Sequence, residues 1–586
     1  MSHKVQIVDE THNHLKTIDA KDAELLHTLL VYEHGYHAPC GGNGTCHNCK
    51  VKLIGNIPYH EKEKAILSEE EIKENIHFAC MLEVKEDLIV MLKGTQHMAA
   101  QDIYEERDVI NPMVRRMELS VTELKKLAIP DYACALQKKI GTHKVNLEVI
   151  KKLPYFMQGD IDKFTAIYDD HEVLELTHKP LDGYGIAIDI GTTTVVSYLY
   201  NLKTGKYQDV LSDINHQRNF GFDVISRIKY AHEESGLNTL CKTITSQLRT
   251  MIESLISKNK LEKEQLDEVI IVGNTVMLHL LIGSNPKDIG AAPFTSVFTD
   301  PIYTDLKELG IKINNHCKVS ILPSISSYVG ADVVSGMLIA NMHQEEQTIL
   351  LVDIGTNGEI ALLSEGEIAC CATAAGPAFE GANITYGVGG ISGAINHIDI
   401  KKEQLSYTTI HNQKPIGLCG SGLIDGIAYM LNKGYIDETG YLEGDDLVDI
   451  GEAALEIAKK EDAAAIYITQ KDIREIQLAK GSIRAGIDTM LDNRGIKVED
   501  VDKIYIAGGF GSFMNKESAV RIGLLPKGAE RKIESIGNSA GKGAIKVLLN
   551  KDYLKEIMNI KDKCHYVELS NSVKFMDYYM QSMSFE

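Results

Sequence analysis

The tetrapeptide D-I-G-T occurs twice in this 586-residue chain. Aligning Asp189 with Asp353 places D-I-G-T-T-T over D-I-G-T-N-G, and an apolar, strand-like run stands before and after each copy. One Gly-Thr turn is weak evidence, because such turns close many β-hairpins. Two copies in register indicate a duplicated domain rather than two accidental turns.

The repeated turn has the composition of a phosphate-binding hairpin. Glycine and small hydroxyl residues let backbone N–H groups face a phosphate chain, and an aspartate at the strand end can hold Mg²⁺ directly or through water. Two such hairpins facing each other would hold the phosphates of ATP from both sides. The candidate ligands are Asp189, Gly191, Thr192, Thr193, Asp353, Gly355, Thr356 and Asn357.

Three further stretches fit around this nucleotide site. "VDKIYIAGGFGSF" predicts a strand that opens into a turn at Gly508 and Gly509. In isolation such a turn would be structural, but after two phosphate-binding hairpins it would let an adenosine group lie against the backbone. "GLCGSGLID" places Gly420 and Ser421 at a helix start, which favours anions. In "YVGADVVSGML", Asp332 is predicted to position magnesium or the attacking water, with a helix N-cap role as the alternative. The candidate catalytic residues are Asp332 and Asp189.

A cysteine cluster near the start of the chain points to a second kind of chemistry. Its spacing is C-x5-C-x2-C-x30-C, whereas zinc sites usually combine two short C-x2-C hooks. The pattern is close to the plant-type ferredoxin spacing C-x4-C-x2-C…C. We therefore predict a 2Fe–2S cluster, with a structural zinc site as the alternative. The predicted ligands are Cys40, Cys46, Cys49 and Cys80.

The surrounding pattern predicts a ferredoxin-like β-grasp fold. "KVQIV", "KVKLIG" and "DLIVML" read as strands, and a helix is expected to start after Asp19 or Ala20 and to end at Gly35. The other cysteines show no ligand-like grouping and are predicted to be buried structural thiols. They are Cys134, Cys241, Cys317, Cys370, Cys371, Cys419 and Cys564.

The chain is too long for a single hydrophobic core, so we predict a multidomain protein with α/β and α+β parts. The expected order is a ferredoxin-like domain (1–93), a linker (94–117), a small middle domain (118–181) and an ATPase domain of two duplicated halves (182–586). In the middle domain, "SVTELKKLAI" predicts a helix and "HKVNLEVIKKL" either a strand or a helix. Docking or dimerisation is the role expected of it.

Composition excludes some classes of function. A net charge of −21 argues against general nucleic-acid binding, which needs a basic face. The sequence shows no secretory signal and no apolar run approaching 18 residues, so neither export nor a membrane span is expected. The odd count of eleven cysteines fits thiols and metal ligands in a reducing compartment. A cytoplasmic protein is therefore predicted.

The two hairpins and the later glycine turn follow the phosphate-1, phosphate-2 and adenosine order of the actin, sugar-kinase and Hsp70 superfamily. Combined with "CGGNGTCHNC", "NFGFDVISRI" and "VGNTVMLHLLIG", this order resembles the reductive activators of corrinoid proteins over essentially the full chain. Those enzymes use ATP to return cob(II)alamin to cob(I)alamin. The resemblance implies a corrinoid protein of a methyltransferase system as partner and an unidentified electron donor, and it leaves room for a homodimer.

Two other functions compete with this interpretation. One is a small-molecule kinase with a fused electron-transfer module, which would yield a phosphorylated product. The other is an ATP-gated redox sensor or chaperone, in which the cluster only reports redox state. Replacing Cys46 by serine separates the sensor from the activator, because only the activator must then lose electron transfer while it keeps nucleotide binding.

Overall fold

The computed structural model describes residues 2–8, 14–27, 29–30, 49–55, 57–91, 104, 109–158, 162–179, 182–343, 346–399, 405–444, 447–449, 453–460, 463–509, 513–570 and 572–585. Cys40, Cys46, the predicted helix end at Gly35 and most of the predicted linker lie outside these residues. The fold is multidomain, with mixed α/β and α+β parts, as predicted.

A five-stranded mixed sheet forms the N-terminal part, in the order β2-β1-β7-β4-β5. Its central strands β1 and β7 are parallel, and the outer pairings are antiparallel. A two-stranded sheet, β3 with β6, lies beside it. The elements are β1 (Ser2–Val8), β2 (His14–Lys21), β3 (Glu24–Leu25), β4 (Lys50–Ile54), α1 (Glu61–Lys64), α2 (Glu69–Lys73), β5 (Ile76–Phe78), β6 (Glu83–Val84) and β7 (Leu88–Met91).

The predicted helix start after Asp19 or Ala20 is wrong. Strand β2 continues through Lys21, because Ile18 and Ala20 are buried while their neighbours are exposed, the alternation of a half-buried strand. Helical backbone begins at Leu26. The three predicted strands of this part are confirmed.

Residues 115–177 form a small α+β unit with its own core and the sheet order β8-β10-β11-β9. Its elements are β8 (Arg115–Ser120), α3 (Val121–Lys126), α4 (Tyr132–Ile140), β9 (Lys144–Val145), α5 (Leu147–Gln158), β10 (Lys163–Tyr168) and β11 (Glu172–Thr177).

Three predictions from the sequence fall within or beside this unit. Strand β8 begins at Arg115, within the predicted linker, and pairs with β10 from that residue onward. "HKVNLEVIKKL" is both a strand and a helix, β9 followed by α5. Cys134 is exposed, so its prediction as a buried thiol is wrong: it lies in the first turn of α4, where Asp131 caps its N–H.

Two six-stranded sheets form the centres of the two halves of the predicted ATPase domain. Five strands of each sheet share one topology, and the sixth strand is added at opposite edges of the two sheets. In the first, β14-β13-β12-β15-β17 runs antiparallel, antiparallel, parallel, parallel. In the second, β20-β19-β18-β27-β28 repeats these four pairings. The first strand of each half carries one D-I-G-T at its end, so the duplication inferred from the sequence is confirmed.

The first half contains β12 (Tyr184–Ile190), β13 (Thr194–Asn201), β14 (Tyr207–Ile214), α6 (Val224–Tyr230), α7 (Glu234–Lys258), β15 (Leu266–Gly273), α8 (Thr275–Leu281), β16 (Ile302–Asp305), β17 (Lys318–Ile321) and α9 (Ala331–Ile339). The second half contains β18 (Ile349–Ile354), β19 (Gly358–Ser364), β20 (Glu367–Thr373), β21 (Ala394–Ile398), β22 (Tyr407–Thr409), β23 (Gly417–Leu418), α10 (Gly420–Lys433), β24 (Val448–Asp449), β25 (Ala453–Lys460), β26 (Ala463–Thr469), α11 (Gln470–Asn493), β27 (Lys503–Ala507), α12 (Lys516–Arg521), β28 (Ile533–Gly537), α13 (Ser539–Leu549), α14 (Tyr553–Lys563), β29 (Cys564–Tyr566) and α15 (Val573–Ser582).

Helix α13 connects the two halves. It follows β28 of the second half yet packs on β12 and β15 of the first half and on α9. Small residues allow the close approach of α9 and α13, since a Cβ at Gly336 or Gly543 would collide with Ser539 or Ser335 of the opposite helix. The two cores therefore meet along this helix pair. No helix in the described part of the chain is both long and apolar enough to span a bilayer.

Candidate nucleotide and cluster sites

The two D-I-G-T hairpins meet at one carboxylate. Thr193 of the first hairpin donates its hydroxyl to one oxygen of Glu380 at 2.6 Å. Thr356 of the second hairpin donates to the other oxygen at 2.9 Å. Both threonines were predicted phosphate ligands, and the structure brings them to opposite sides of a single small anionic group.

Three polar side chains donate hydrogen bonds to the turn of the first hairpin. Asn215 donates to the carbonyl of Gly191 at 2.8 Å, and the buried guanidinium of Arg227 donates to the carbonyl of Thr192 at 2.5 Å. Asn274 donates to the Thr192 hydroxyl at 2.9 Å. These bonds fix the backbone of the turn, so its remaining N–H groups can face a phosphate.

Sequence reasoning assigned no role to Asn215, Arg227, Asn274 or Glu380. Arg227 lies in "NFGFDVISRI" and Asn274 in "VGNTVMLHLLIG", so the motifs that carried the resemblance contain these two supporting residues. For Glu380 the sequence offers only its glycine-flanked segment, "GPAFEG".

Four partly buried carboxyl groups, those of Asp189, Asp332, Asp353 and Glu359, lie near enough to one another for their charges to interact. Burial raises the pKa of Asp189 and of Asp353 to about 7 and that of Asp332 to about 6. Burial also raises the pKa of Glu359 well above its usual value, and the charge of Asp332 acts in the same direction on the other three groups. Such a cluster is stabilised by a bound cation.

The carboxyl cluster fits magnesium bound together with a nucleotide. Mg²⁺ usually takes one or two protein carboxylates and completes its octahedron with phosphate oxygens and water. Within the described ranges, no three His, Cys, Asp or Glu side chains are arranged to hold a metal ion by themselves. Asp189 and Asp353, at the ends of equivalent strands, are the best placed ligands. Asn357 forms a side-chain hydrogen bond with Glu359 and so lies beside the same carboxyl cluster.

Asp332 is not a helix N-cap. The cap of α9 is Gly330, and Asp332 is the second residue of the helix, where its carboxylate accepts the Val333 N–H at 2.8 Å. Gly330 is needed there because a Cβ would lie 2.5 Å from the Cα of Asn274. The capping alternative is therefore wrong, and Asp332 stays a prediction as the residue that positions water or magnesium.

The two later glycine motifs take different places. Gly508 has φ +103° and packs on the second hairpin, since a Cβ would lie 2.4 Å from the carbonyl oxygen of Ile354. Gly509 is open, with nothing within 4 Å of its Cβ position. Gly420 and Ser421 are buried beneath the Glu380 segment, where the Ser421 hydroxyl donates to the Asn396 carbonyl at 2.8 Å. Their role as nucleotide ligands stays a prediction.

Two of the four predicted cluster ligands lie side by side. The sulfur atoms of Cys49 and Cys80 are 3.1 Å apart and buried, although the two residues are 31 positions apart in the chain. A backbone hydrogen bond from Ala79 to the Cys49 carbonyl, 2.8 Å long, holds the two segments together. The 3.1 Å between the two sulfur atoms exceeds the roughly 2.05 Å of a disulfide bond. A converging pair of soft sulfur donors fits an iron–sulfur cluster.

Comparison with known proteins agrees with this combination of sites. Residues 184–345 match the RACo middle region, and residues 347–586 match the C-terminal domain of RACo, the ASKHA domain. The region called middle in that family is therefore the first ATPase half, not the 115–177 unit. The ASKHA domain implies ATP with Mg²⁺ as ligand.

Similar proteins carry related names. The corrinoid activation enzyme RamQ of Eubacterium limosum is 32% identical over 576 residues, covering 93% of each chain. The [Co(II) methylated amine-specific corrinoid protein] reductase of Methanosarcina barkeri is 26% identical, covering 69% of this chain and 77% of its own. A solved reductive activator for corrinoid, iron-sulfur protein superposes with a TM-score of 0.76 at 30% identity, covering 100% of this chain and 98% of its own. The chain therefore belongs to the RACo family of corrinoid activation enzymes.

Proposed function

We propose that this protein uses ATP to drive the reduction of cob(II)alamin to cob(I)alamin on a corrinoid protein of a methyltransferase system in the cytoplasm. The observation that carries the proposal is the presence in one chain of two sites of different chemistry. One is the sulfur pair of Cys49 and Cys80, and the other is the pair of hairpins that converge on Glu380.

The electron-transfer half of the proposal assigns Cys40, Cys46, Cys49 and Cys80 as the ligands of a 2Fe–2S cluster. When bound, such a cluster supplies a one-electron carrier. The structure supports this through Cys49 and Cys80, whose burial keeps water away from the sulfur atoms. In this proposal an external electron donor reduces the cluster before each transfer to the corrinoid protein.

The nucleotide half assigns the two hairpins to the phosphates of ATP. Thr193 and Thr356 offer hydroxyl donors from opposite halves, Asp189 and Asp353 hold Mg²⁺, and Asp332 positions the attacking water. ATP changes the conformational equilibrium of the chain only if it binds the closed and open arrangements with different affinity. Ligands drawn from both halves provide that difference, because only the closed arrangement presents them together.

The proposal is tested with anaerobically reduced protein, Mg-ATP and the corrinoid protein encoded beside it, with cob(I)alamin followed by its absorbance. We expect cob(I)alamin from the wild type and none from Cys46→Ser, whereas both proteins bind ATP with the same affinity. Wild-type protein that gives no cob(I)alamin on any such corrinoid protein contradicts the proposal. A phosphorylated small molecule in place of free phosphate would establish the kinase alternative instead.

A further inference from the structure

Glu380 lies on a short segment with a glycine at each end. A single 3-10 turn (Pro377–Glu380) stands between Gly376, with φ +76°, and Gly381, with φ +82°. Nothing lies within 4 Å of the Cβ position of Gly376. Gly381, by contrast, packs on the backbone of Val388, 2.7 Å from its Cβ position. The turn therefore has one tightly packed end and one end with open space around it.

The carboxylate at the tip of this turn occupies hydroxyl donors that a nucleotide also needs. Each oxygen of Glu380 accepts one hydrogen bond, from Thr193 on one side and from Thr356 on the other. A phosphate oxygen pair would accept the same two donors. Two anions cannot share them, because each hydroxyl has only one proton to donate and like charges at this separation repel each other.

We infer that Glu380 is a positioning residue that joins the two hairpins through Thr193 and Thr356, and that the terminal phosphate of ATP displaces it to take over both hydroxyls. Without nucleotide, the carboxylate thus occupies the position of a phosphate group. Its displacement by ATP would change the conformation of neighbouring parts of the second half. This inference rests on the nucleotide site of the proposed function.

A displaced carboxylate has a cationic partner nearby. The charge of Glu380 acts on Arg218, where it partly offsets the lowering of the guanidinium pKa by burial. The Nε atom of Arg218 is buried and has no hydrogen-bond partner among the described residues. The neighbouring Arg227 already donates to Gly221, Thr192 and Met277. Among the described residues, Arg218 therefore offers a positive charge that the carboxylate already influences and a buried donor without a partner.

The movement would also reach helix α10. The carbonyl of Phe379, next to Glu380 in the turn, packs so closely on Gly420 that a Cβ there would lie 2.1 Å from it. Gly420 is the first residue of α10, and Phe379 is buried. A shift of the turn therefore cannot leave the start of α10 unchanged.

The experiment measures the dissociation constants of Mg-ATP and Mg-ADP by calorimetry for the wild type, Glu380→Ala and Glu380→Gln. Glu438→Gln, an exposed position in the same half, is the matched control. Removing the competing carboxylate frees two donors, so we expect Glu380→Ala to bind ATP about five to thirty times more tightly. Glu380→Gln loses the charge but keeps one acceptor, and its gain is intermediate. The affinity for ADP, which lacks the terminal phosphate, changes less than about twofold in all three variants.

Several outcomes overturn the inference. Weaker ATP binding in both Glu380 variants would make Glu380 a nucleotide ligand, and equal changes for ATP and ADP would make it a purely structural residue. Unchanged affinity with lost phosphate release would make it a catalytic base. If Glu380→Ala does not fold, Glu380→Gln decides. A wild type that binds no nucleotide refutes the proposed function as well, whereas a wild type that binds ATP without a gain in the variants refutes this inference alone.

Discussion

At the scale of single residues, the sulfur pair of Cys49 and Cys80 makes the sharpest prediction about metal content. Replacing Cys80 by serine removes one of the soft donors that a 2Fe–2S cluster requires. We expect Cys80→Ser to lose the iron and the visible absorption of the purified protein, measured by iron analysis and spectroscopy. Cys134→Ser, at an exposed cysteine outside the cluster, is the control and keeps its iron. Zinc in the wild type in place of iron would contradict the assignment.

The pKa values of the carboxyl cluster near the two hairpins predict how magnesium binding depends on pH. Asp189 and Asp353 have a pKa of about 7 and Asp332 of about 6, so they are ionised at pH 8 and largely protonated at pH 5.5. Protons therefore compete with Mg²⁺ as the pH falls through this range. We expect the affinity for Mg-ATP to fall about tenfold from pH 8 to pH 5.5, measured by calorimetry.

Asp353→Asn is the comparison variant for that pH series. It lacks one of the titrating groups, so we expect weaker Mg-ATP binding at pH 8 and a shallower loss on acidification. The remaining slope contains the titration of ATP itself, which is common to both proteins. Equal slopes in the two proteins would show that Asp353 does not hold the ion.

Four site residues that the sequence predicted lie within the repeated turns, whereas Glu380, which it did not predict, lies outside them. Asp189 aligns with Asp353. Thr193 and Thr356 lie in the two aligned turns, although Thr193 matches Asn357 and Thr356 matches Thr192. The alignment of the two copies therefore pointed to all four residues. Glu380 belongs to no repeat, and its partner Thr193 is 187 residues away. Only the folded arrangement of both halves brings that carboxylate between the hairpins.

At the scale of elements, Gly508 and Gly509 form a natural pair for mutation. Gly508 has a left-handed φ of +103° and no room for a Cβ beside Ile354, whereas Gly509 has open space. We expect Gly508→Ala to destabilise the protein by roughly 1–3 kcal/mol and to weaken nucleotide binding, because the second hairpin must shift. Gly509→Ala is the control and changes the melting temperature little. Equal melting temperatures for the two variants would contradict this packing.

Some secondary-structure elements could be predicted from the sequence pattern alone, and others could not. The hairpin strands and β27 were predictable because apolar runs ended at glycine turns. Strand β2 was misread as the start of a helix, since T-I-D-A-K fits either period over so few residues. Its pairing with β1 along the whole strand decides between them, and that is a long-range contact.

At the scale of the whole molecule, the 115–177 unit docks on the first ATPase half through a buried acidic group. Glu268 of β15 is almost fully buried and accepts the N–H of Val114, the residue immediately before the unit, at 3.2 Å. The neighbouring Asp267 pairs with Arg116 at 2.7 Å. Burial, together with the charge of Asp267, raises the pKa of Glu268 to about 8.

This buried carboxyl makes the docking sensitive to pH. A raised pKa means that the folded state holds its proton more tightly than the unfolded chain does, so stability falls as the pH rises from about 4.5 to about 8. Glutamine keeps the acceptor and cannot ionise. We therefore expect Glu268→Gln to be more stable than the wild type by roughly 1–3 kcal/mol at pH 8.5 and nearly equal to it at pH 4.5, by denaturant unfolding. A constant difference across pH would contradict this.

The proposed activity of the whole molecule couples ATP hydrolysis to electron transfer from the cluster to the corrinoid protein. Reduced protein is mixed anaerobically with its corrinoid protein in the cob(II)alamin state, with Mg-ATP, Mg-ADP or no nucleotide, and cob(I)alamin and free phosphate are followed together. We predict that cob(I)alamin forms only with ATP and in step with phosphate release, and that Asp189→Asn abolishes both. Formation of cob(I)alamin at the same rate with ADP or without nucleotide would contradict it.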